Sequence, residues 1–345
     1  MTFDIALLLA QDGIVNGAIY ALLALSTVLV FQITRVIFIP SGTLVAFGAM
    51  TLAALQAGKC PATIWLLVGA GLFVAGLDLY QRKWRTPREL AWLLFGNVFY
   101  PMALATVLQL TATDQQPVIV QVALCLLILV PLGPMLYRLV YAPVAAASVL
   151  LLLIVSIAVD VALVSFGLIA FGSDGRRAPP MIDFDFEMGP MTISGQSIVT
   201  LAASAALIGC LYLFFEHTLE GKSLVATAVN RIGARLIGVS PERSGKRAFA
   251  LATLIAACAG VLAAPTTTIY YDTGFLIGLH GLVGAIFGGL ASYPLAAVGA
   301  VLLGVIESFA AFEASAFKEV IVFSLLIPIL LIQSLIVADA GRDDE

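Results

Sequence analysis

Two carboxylates sit where carboxylates are costly. Asp160 in SIAVDVALV and Glu307 in LLGVIESFA are each flanked on both sides by apolar residues. Near a bilayer centre an unpaired acidic side chain costs roughly 2.5–3.5 kcal/mol on insertion scales, so each needs a partner, water or a proton. Two chemistries are open to such a group: a hydrogen bond that ties helices together, or carriage of a proton or ion along a pathway. The backbone offers a third feature. Pro40, Ser41 and Gly42 fall at the start of an apolar run, where a broken turn frees N–H and C=O groups that lipid cannot satisfy. Such a bend is a candidate element of a substrate pathway if it lines a cavity, or a plain interfacial helix start beside Arg35.

Other chemistry is poorly supplied. Cys60, Cys125, Cys210 and Cys258 are scattered without a C-x-x-C pair, and three lie in apolar runs, where a thiol behaves as a small hydrophobe. The only histidines, His217 and His280, lack the neighbours a zinc site needs, so neither a metal nor any other cofactor is expected. EHTLEGKS ends in Gly221-Lys222-Ser223 and imitates the tail of a P-loop, but Glu216 stands where the first glycine belongs and an apolar run precedes it. The chain is therefore not expected to hydrolyse ATP itself. No cluster of nucleophiles marks the ends of the apolar runs, which argues against a membrane enzyme.

The elements that must carry these residues are membrane helices. Of 345 residues, 61% are hydrophobic and 11% charged, against about 25% charged in a soluble domain, and the mean hydropathy is +1.07. Apolar runs near 8–33, 36–57, 62–80, 90–110, 117–137, 146–171, 193–215, 247–270, 276–291, 295–312 and 319–337 give an all-α, polytopic bundle of about 10–11 segments. The run at 276–291 is short and Gly-rich, so it spans in part or re-enters. Its Gly281, Gly284, Gly288 and Gly289, with G-x-x-x-G from 284 to 288, suit close helix or subunit packing. The whole of 1–345 reads as one membrane domain. Lys and Arg collect in two loops, Arg82/Lys83/Arg85/Arg88 and Lys222/Arg231/Arg235/Arg243/Lys246/Arg247, while 172–190 carries Asp174, Asp183, Asp185 and Glu187. By the positive-inside rule the two basic loops are cytoplasmic, the N-terminus outside and the C-terminus inside.

The second basic loop, 216–247, has internal order. Leu224, Ala228, Ile232, Leu236 and Val239 recur at spacings of four, four, four and three, the mark of one helix with an apolar stripe, and Lys222, Arg231 and Arg235 occupy its other positions. Gly238 supplies a stop, and Ser240-Pro241 then offers an N-cap and first turn. An amphipathic helix there either lies on the membrane surface or docks a partner.

GKSLVATAVNRIGARLIGVSPERSGKRAFALATLIAACAGVLAAP resembles the cytoplasmic loop and following helix of branched-chain (hydrophobic) amino acid ABC transporter permease subunits, matching at Ala226, Asn230, Ala234, Gly238, Val239 and Ala259-Gly260-Val261-Leu262. DGIVNGAIYALLALS is similar to that family's first-helix pattern, GLVGAIFGGLASYPLAAVGAVLLGVIES to its late glycine-rich segment ending in Glu, and LVYAPV to its A-Y-R-P-L motif. The resemblance implies a bacterial inner-membrane importer. A second permease subunit would complete the pathway, two cytoplasmic ATPases would drive it, and a periplasmic or extracellular solute-binding protein would deliver substrate; membrane lipid surrounds it and nucleic acid has no part. It also implies that the 222–238 segment couples to the ATPase, through Leu224, Ala228, Ile232 and Leu236 with Lys222, Arg231 and Arg235 at the rim and Gly238 as the stop. Glu307, on a family-like position, suits a structural hydrogen bond better than a pathway role; the motif says nothing of Asp160. Three departures stand out: FIPSG replaces the family's N-F-A-H-G, region 59–135 is longer by an apparent helical hairpin, and the usual Arg-Pro-x-Gly ending is absent. Branched-chain amino acids are the family default, with urea, short amides and aromatic acids left open. The competing reading is a stand-alone secondary transporter, coupled to ions or protons through Asp160 and Glu307.

Overall fold

The computed structural model describes residues 3–81, 91, 93–182, 184–188 and 191–340. The basic residues Arg82, Lys83, Arg85 and Arg88, and Asp183 of the acidic loop, lie outside the described residues. Helices occupy every apolar run predicted from the sequence. They are α1 (Phe3–Thr34), α2 (Pro40–Gln56), α3 (Thr63–Tyr80), α4 (Tyr100–Leu110, entered through a π-turn at Phe95–Phe99), α5 (Val118–Leu129), α6 (Leu132–Leu136, leaving through a π-turn at Tyr137–Tyr141) and α7 (Val149–Phe171). A two-stranded antiparallel hairpin, β1 (Asp185–Met188) with β2 (Met191–Ser194), interrupts this series within the acidic loop. Then come α8 (Gly195–His217), α9 (Leu219–Val229), α10 (Arg231–Leu236), α11 (Pro241–Ala263), α12 (Thr273–Phe287), α13 (Tyr293–Glu313), α14 (Lys318–Ser324) and α15 (Leu326–Ala340).

Among the described residues, seven helices are long and apolar enough to cross a membrane, α5 to the end of the second π-turn counting as one of them. Phe95–Leu110 and α12 are apolar but shorter. The α2 helix is buried from Pro40 to Leu55, walled in by α11, α12, α5 and α7. Only small residues permit such close packing without a hydrophobic drive between helices. A Cβ on Gly48 would sit 3.0 Å from the Ala257 carbonyl oxygen of α11, and one on Gly260 would strike the Val45 carbonyl of α2.

A second seam joins α1 to α13. A Cβ on Gly304 would come within 2.5 Å of the Cα and N of Gly17, and one on Gly13 within 2.6 Å of Val305 Cα. The glycine-rich α12 docks across both helices, Gly281 on Leu23 and Gly284 on Ala24 and Ala300. Its small residues therefore serve helix packing within the chain. By contrast, α3 and α4 expose Trp65, Leu72, Phe73, Phe99 and Met102, an apolar outer face suited to lipid.

Candidate functional site

The glycine seams bring charged and polar side chains together at one end of the bundle. Between α1, α12, α13 and the loop before the hairpin lies a cavity of about 730 Å³. Its roof is strapped down by backbone bonds: Arg176 and Ile269 exchange a pair at 2.9 Å, and Ala178 N–H donates to Ala264 O at 3.0 Å. Arg177 Nε adds a bond to Pro265 O at 3.0 Å, and Gln196 Oε1 accepts from Met181 N–H at 3.1 Å. Around the wall stand Asp12, Arg177, His280, Glu307, Lys318 and Glu319, with Val15, Ile19, Leu276 and Ile277 supplying apolar surface.

Glu307 lies at the inner end, 7% exposed, with Lys318 Nζ 2.7 Å from its Oε1. This ion pair joins α13 to α14, and Glu307 also lines the cavity. His280, set aside for want of suitable spacing, is 2% exposed and stacks on Tyr20 with ring centroids 4.8 Å apart. Phe323 closes its other side at 5.5 Å. Gly278, against Gly42, and Gly281, against Leu23, let α12 approach closely enough for this. No sequence motif links His280, Glu307, Lys318 and Glu319; only the turn between α13 and α14 and the α12 seam bring them together.

Asp160 lies elsewhere. It is 1% exposed on α7, and Thr43 Oγ1 of α2 donates to its Oδ1 at 2.6 Å. The neighbouring Pro40, Ser41 and Gly42 are also buried, Ser41 Oγ bonding Phe38 O at 2.8 Å and Gly42 packed on Gly278 and the Gly274 carbonyl of α12. None of the three lines the cavity described above. The bend precedes them, at Arg35, whose φ is +61°.

The 216–247 loop differs from expectation. It holds two helices, because Asn230 turns extended (φ −150°, ψ 102°) and its Oδ1 accepts from Ile232 and Gly233 N–H at 3.0 and 2.9 Å, capping α10. The single stripe is thereby divided. Leu224 is fully buried against the chain's own core and Ala228 is half-buried, while Ile232 and Leu236 are 73% and 84% exposed. Val229 and Ile237 join them outside, and Lys222 and Arg235 are exposed as well. Arg231 reaches back to donate to Ile33 O at 2.7 Å; burial, then the like charges of Arg35 and Arg235, lower its guanidinium pKa against an opposing pull from Tyr137. Gly238 ends the unit at φ +88°, and Pro241 opens α11 as expected, though Ser240 caps it without a side-chain bond. Gly221-Lys222-Ser223 sit inside α9, capped by Thr218, with Gly221 pressed on the Phe214 carbonyl, a geometry unlike a phosphate loop.

Sequence reading also missed a buried ion pair. Arg138 donates to Asp78 Oδ1 from Nε at 3.0 Å and from Nη2 at 2.5 Å, and its Nη2 also reaches Gln81 Oε1 at 3.1 Å. An acid inside the apolar run at 62–80 facing an arginine near the end of another was the available signal.

Residues 93–332 match the family described as branched-chain amino acid transport system / permease component. The chain belongs to that family. Among curated relatives of this permease family member, LivH of Salmonella typhimurium, a high-affinity branched-chain amino acid transport system permease protein, is 28% identical over 202 residues. That alignment covers 56% of this chain and 66% of LivH, just under two thirds of the relative's length. LivH of Escherichia coli K12 is 27% identical over the same extent, and BraD of Pseudomonas aeruginosa is 27% identical over 236 residues, covering 66% of this chain and 76% of BraD. No solved structure matches the chain.

Proposed function

We propose that the chain is the membrane-embedded permease subunit of a bacterial inner-membrane ABC importer for branched-chain or related hydrophobic amino acids. The observation that carries this reading is the family match over residues 93–332, which spans α9, α10 and the cavity-bearing helices α11 to α14. In this reading the N-terminus lies outside, the C-terminus is cytoplasmic, and the chain crosses the membrane through about 10–11 segments. The cavity faces outward, toward a solute-binding protein. Its mixed charges, Asp12, Glu307 and Glu319 beside Arg177 and Lys318, can meet both ends of a zwitterion while Ile19, Leu276 and Ile277 meet an apolar side chain.

Two ATPase subunits dock on α9 and α10. The docking face is Val229, Ile232, Leu236 and Ile237, with Lys222 and Arg235 at the rim, a helix-in-groove contact. Arg231 transmits their closure, since its bond to Ile33 O ties α10 to the end of α1. Pro40, Ser41 and Gly42 then act in the pathway as the place where α2 and α12 move together, because Gly42 and Gly278 leave no side chain between those helices. A second permease subunit completes the pathway. The α3–α4 hairpin, apolar on its outer face, is an addition at the lipid boundary. A stand-alone secondary transporter is disfavoured, because Asp160 is consumed in a helix–helix bond away from the cavity.

Uptake of labelled leucine by cells expressing the complete complex tests the function. Uptake that requires the ATPases and competes with valine and isoleucine is the expected result. Transport by the purified chain alone, without nucleotide, would overturn it.

A further inference from the structure

We propose that His280, Glu307 and Glu319 form a binding site for a divalent metal ion of the zinc, manganese or cobalt class at the inner end of the cavity. One ligand atom from each residue falls within 4.8 Å of the others. His280 Nε2 lies 3.8 Å from Glu307 Oε2 and 3.4 Å from Glu319 Oε2. Two ligands each about 2.1 Å from a tetrahedral metal stand roughly 3.4 Å apart, so the spacing fits an ion between them.

The hydrogen bonding points the same way. His280 Nε2, Glu307 Oε2 and Glu319 Oε2 are buried and have no hydrogen-bond partner among the described residues, a costly state for polar atoms that nothing coordinates. The remaining carboxylate oxygens are spoken for: Lys318 Nζ lies 2.7 Å from Glu307 Oε1 and 3.5 Å from Glu319 Oε1. Each carboxylate thus turns one oxygen to the lysine and the other toward His280 Nε2, with the Tyr20 hydroxyl beside Glu307. Two carboxylates and one ammonium leave a formal charge of minus one there, which a cation offsets. A proton on His280 alone does not satisfy the oxygens, since neither contact has hydrogen-bond geometry.

The histidine is held for this purpose by rings. Tyr20 and Phe323 sandwich the imidazole and fix the direction of Nε2; Nδ1 has no acceptor among the described residues, so stacking replaces the usual outer hydrogen bond. One imidazole and two carboxylates suit zinc, manganese or cobalt better than calcium or magnesium, and the cavity leaves a coordination position for water. The site does not depend on the transport reading.

Titration of the full chain, purified in detergent on a non-histidine affinity tag, with Co²⁺ and then competing Zn²⁺ tests it. The expected result is one Co²⁺ per chain, seen by its d–d absorption without the thiolate charge-transfer band that the exposed Cys60 and Cys210 would give. His280→Phe keeps the ring stack but removes the nitrogen, and Glu319→Gln alters a partly exposed ligand; each should weaken binding at least tenfold. Lys318→Met, which removes the competing cation, should tighten it. No stoichiometric binding of either ion, a thiolate signature, or equal affinity in His280→Phe would overturn the site.

Discussion

Thr43 donates a 2.6 Å hydrogen bond to Asp160, joining α2 to α7 across 117 residues of sequence. With Asp160 1% exposed, this bond gives a carboxylate inside an apolar helix the polar partner it needs. Asp160→Asn keeps an acceptor oxygen and should leave both thermal stability in detergent and uptake close to wild type. Asp160→Ala strands the Thr43 hydroxyl and should cost about 1–3 kcal/mol. Loss of uptake in a well-folded Asp160→Asn protein would instead mark the acid as a proton carrier.

Arg138 and Asp78 form a buried ion pair, and here the energetics are asymmetric. In Asp78→Ala the arginine keeps Glu242 Oε1 3.7 Å from its Nη1, and the loss should be smaller than in Arg138→Ala, which leaves Asp78 as an uncompensated buried charge and should destabilise by about 3–5 kcal/mol. Replacing both, Asp78→Leu with Arg138→Met, removes the desolvation cost along with the attraction and should recover most of that loss. Denaturation of the two single variants and the double variant measures the coupling. Additive losses would mean the pair contributes little.

The helices were legible because a membrane span must announce itself as a long apolar run, and each predicted run holds a helix. What pattern reading could not see was geometry across elements. Spacing alone drew one stripe from Leu224 to Leu236, although Asn230, a strong N-cap residue, was the sign of a break. Once the helix divides there, Leu224 and Leu236 no longer share a face. Likewise His280, Glu307 and Glu319 come from three helices, and only the approach of α12 to α1 and α13 unites them. Pro40–Gly42 was visible as a special backbone, but whether it lines a void or packs on Gly278 depends on a helix far along the chain.

The α1–α13 seam makes a sharp prediction about glycine. At Gly304 a Cβ meets backbone atoms of Gly17 that cannot rotate away, so Gly304→Val should separate the helices and give little folded protein. Among the described residues, nothing lies within 4 Å of where a Cβ on Gly209 of α8 would sit. Gly209→Ala should therefore be neutral or slightly stabilising, since Ala is the better helix former by about 1 kcal/mol. Yield and monodispersity by size-exclusion chromatography compare the two; a well-behaved Gly304→Val protein would refute the seam.

Division of the basic loop at Asn230 separates two roles that one stripe would have merged. Leu224 is buried, so Leu224→Ala should act on stability, by about 2–5 kcal/mol, through the cavity it leaves. Ile232 and Leu236 touch little of their own chain, so Ile232→Ala with Leu236→Ala should leave the melting temperature unchanged. If α10 is the ATPase contact, that double variant will lose co-purification with the ATPase and uncouple nucleotide hydrolysis from uptake. Lys222 and Arg235, at the rim, should affect salt dependence more than affinity. Full coupling in the double variant alongside a normal melting temperature would move the docking surface elsewhere, whereas a lowered melting temperature would mean the two side chains are packed within the chain after all.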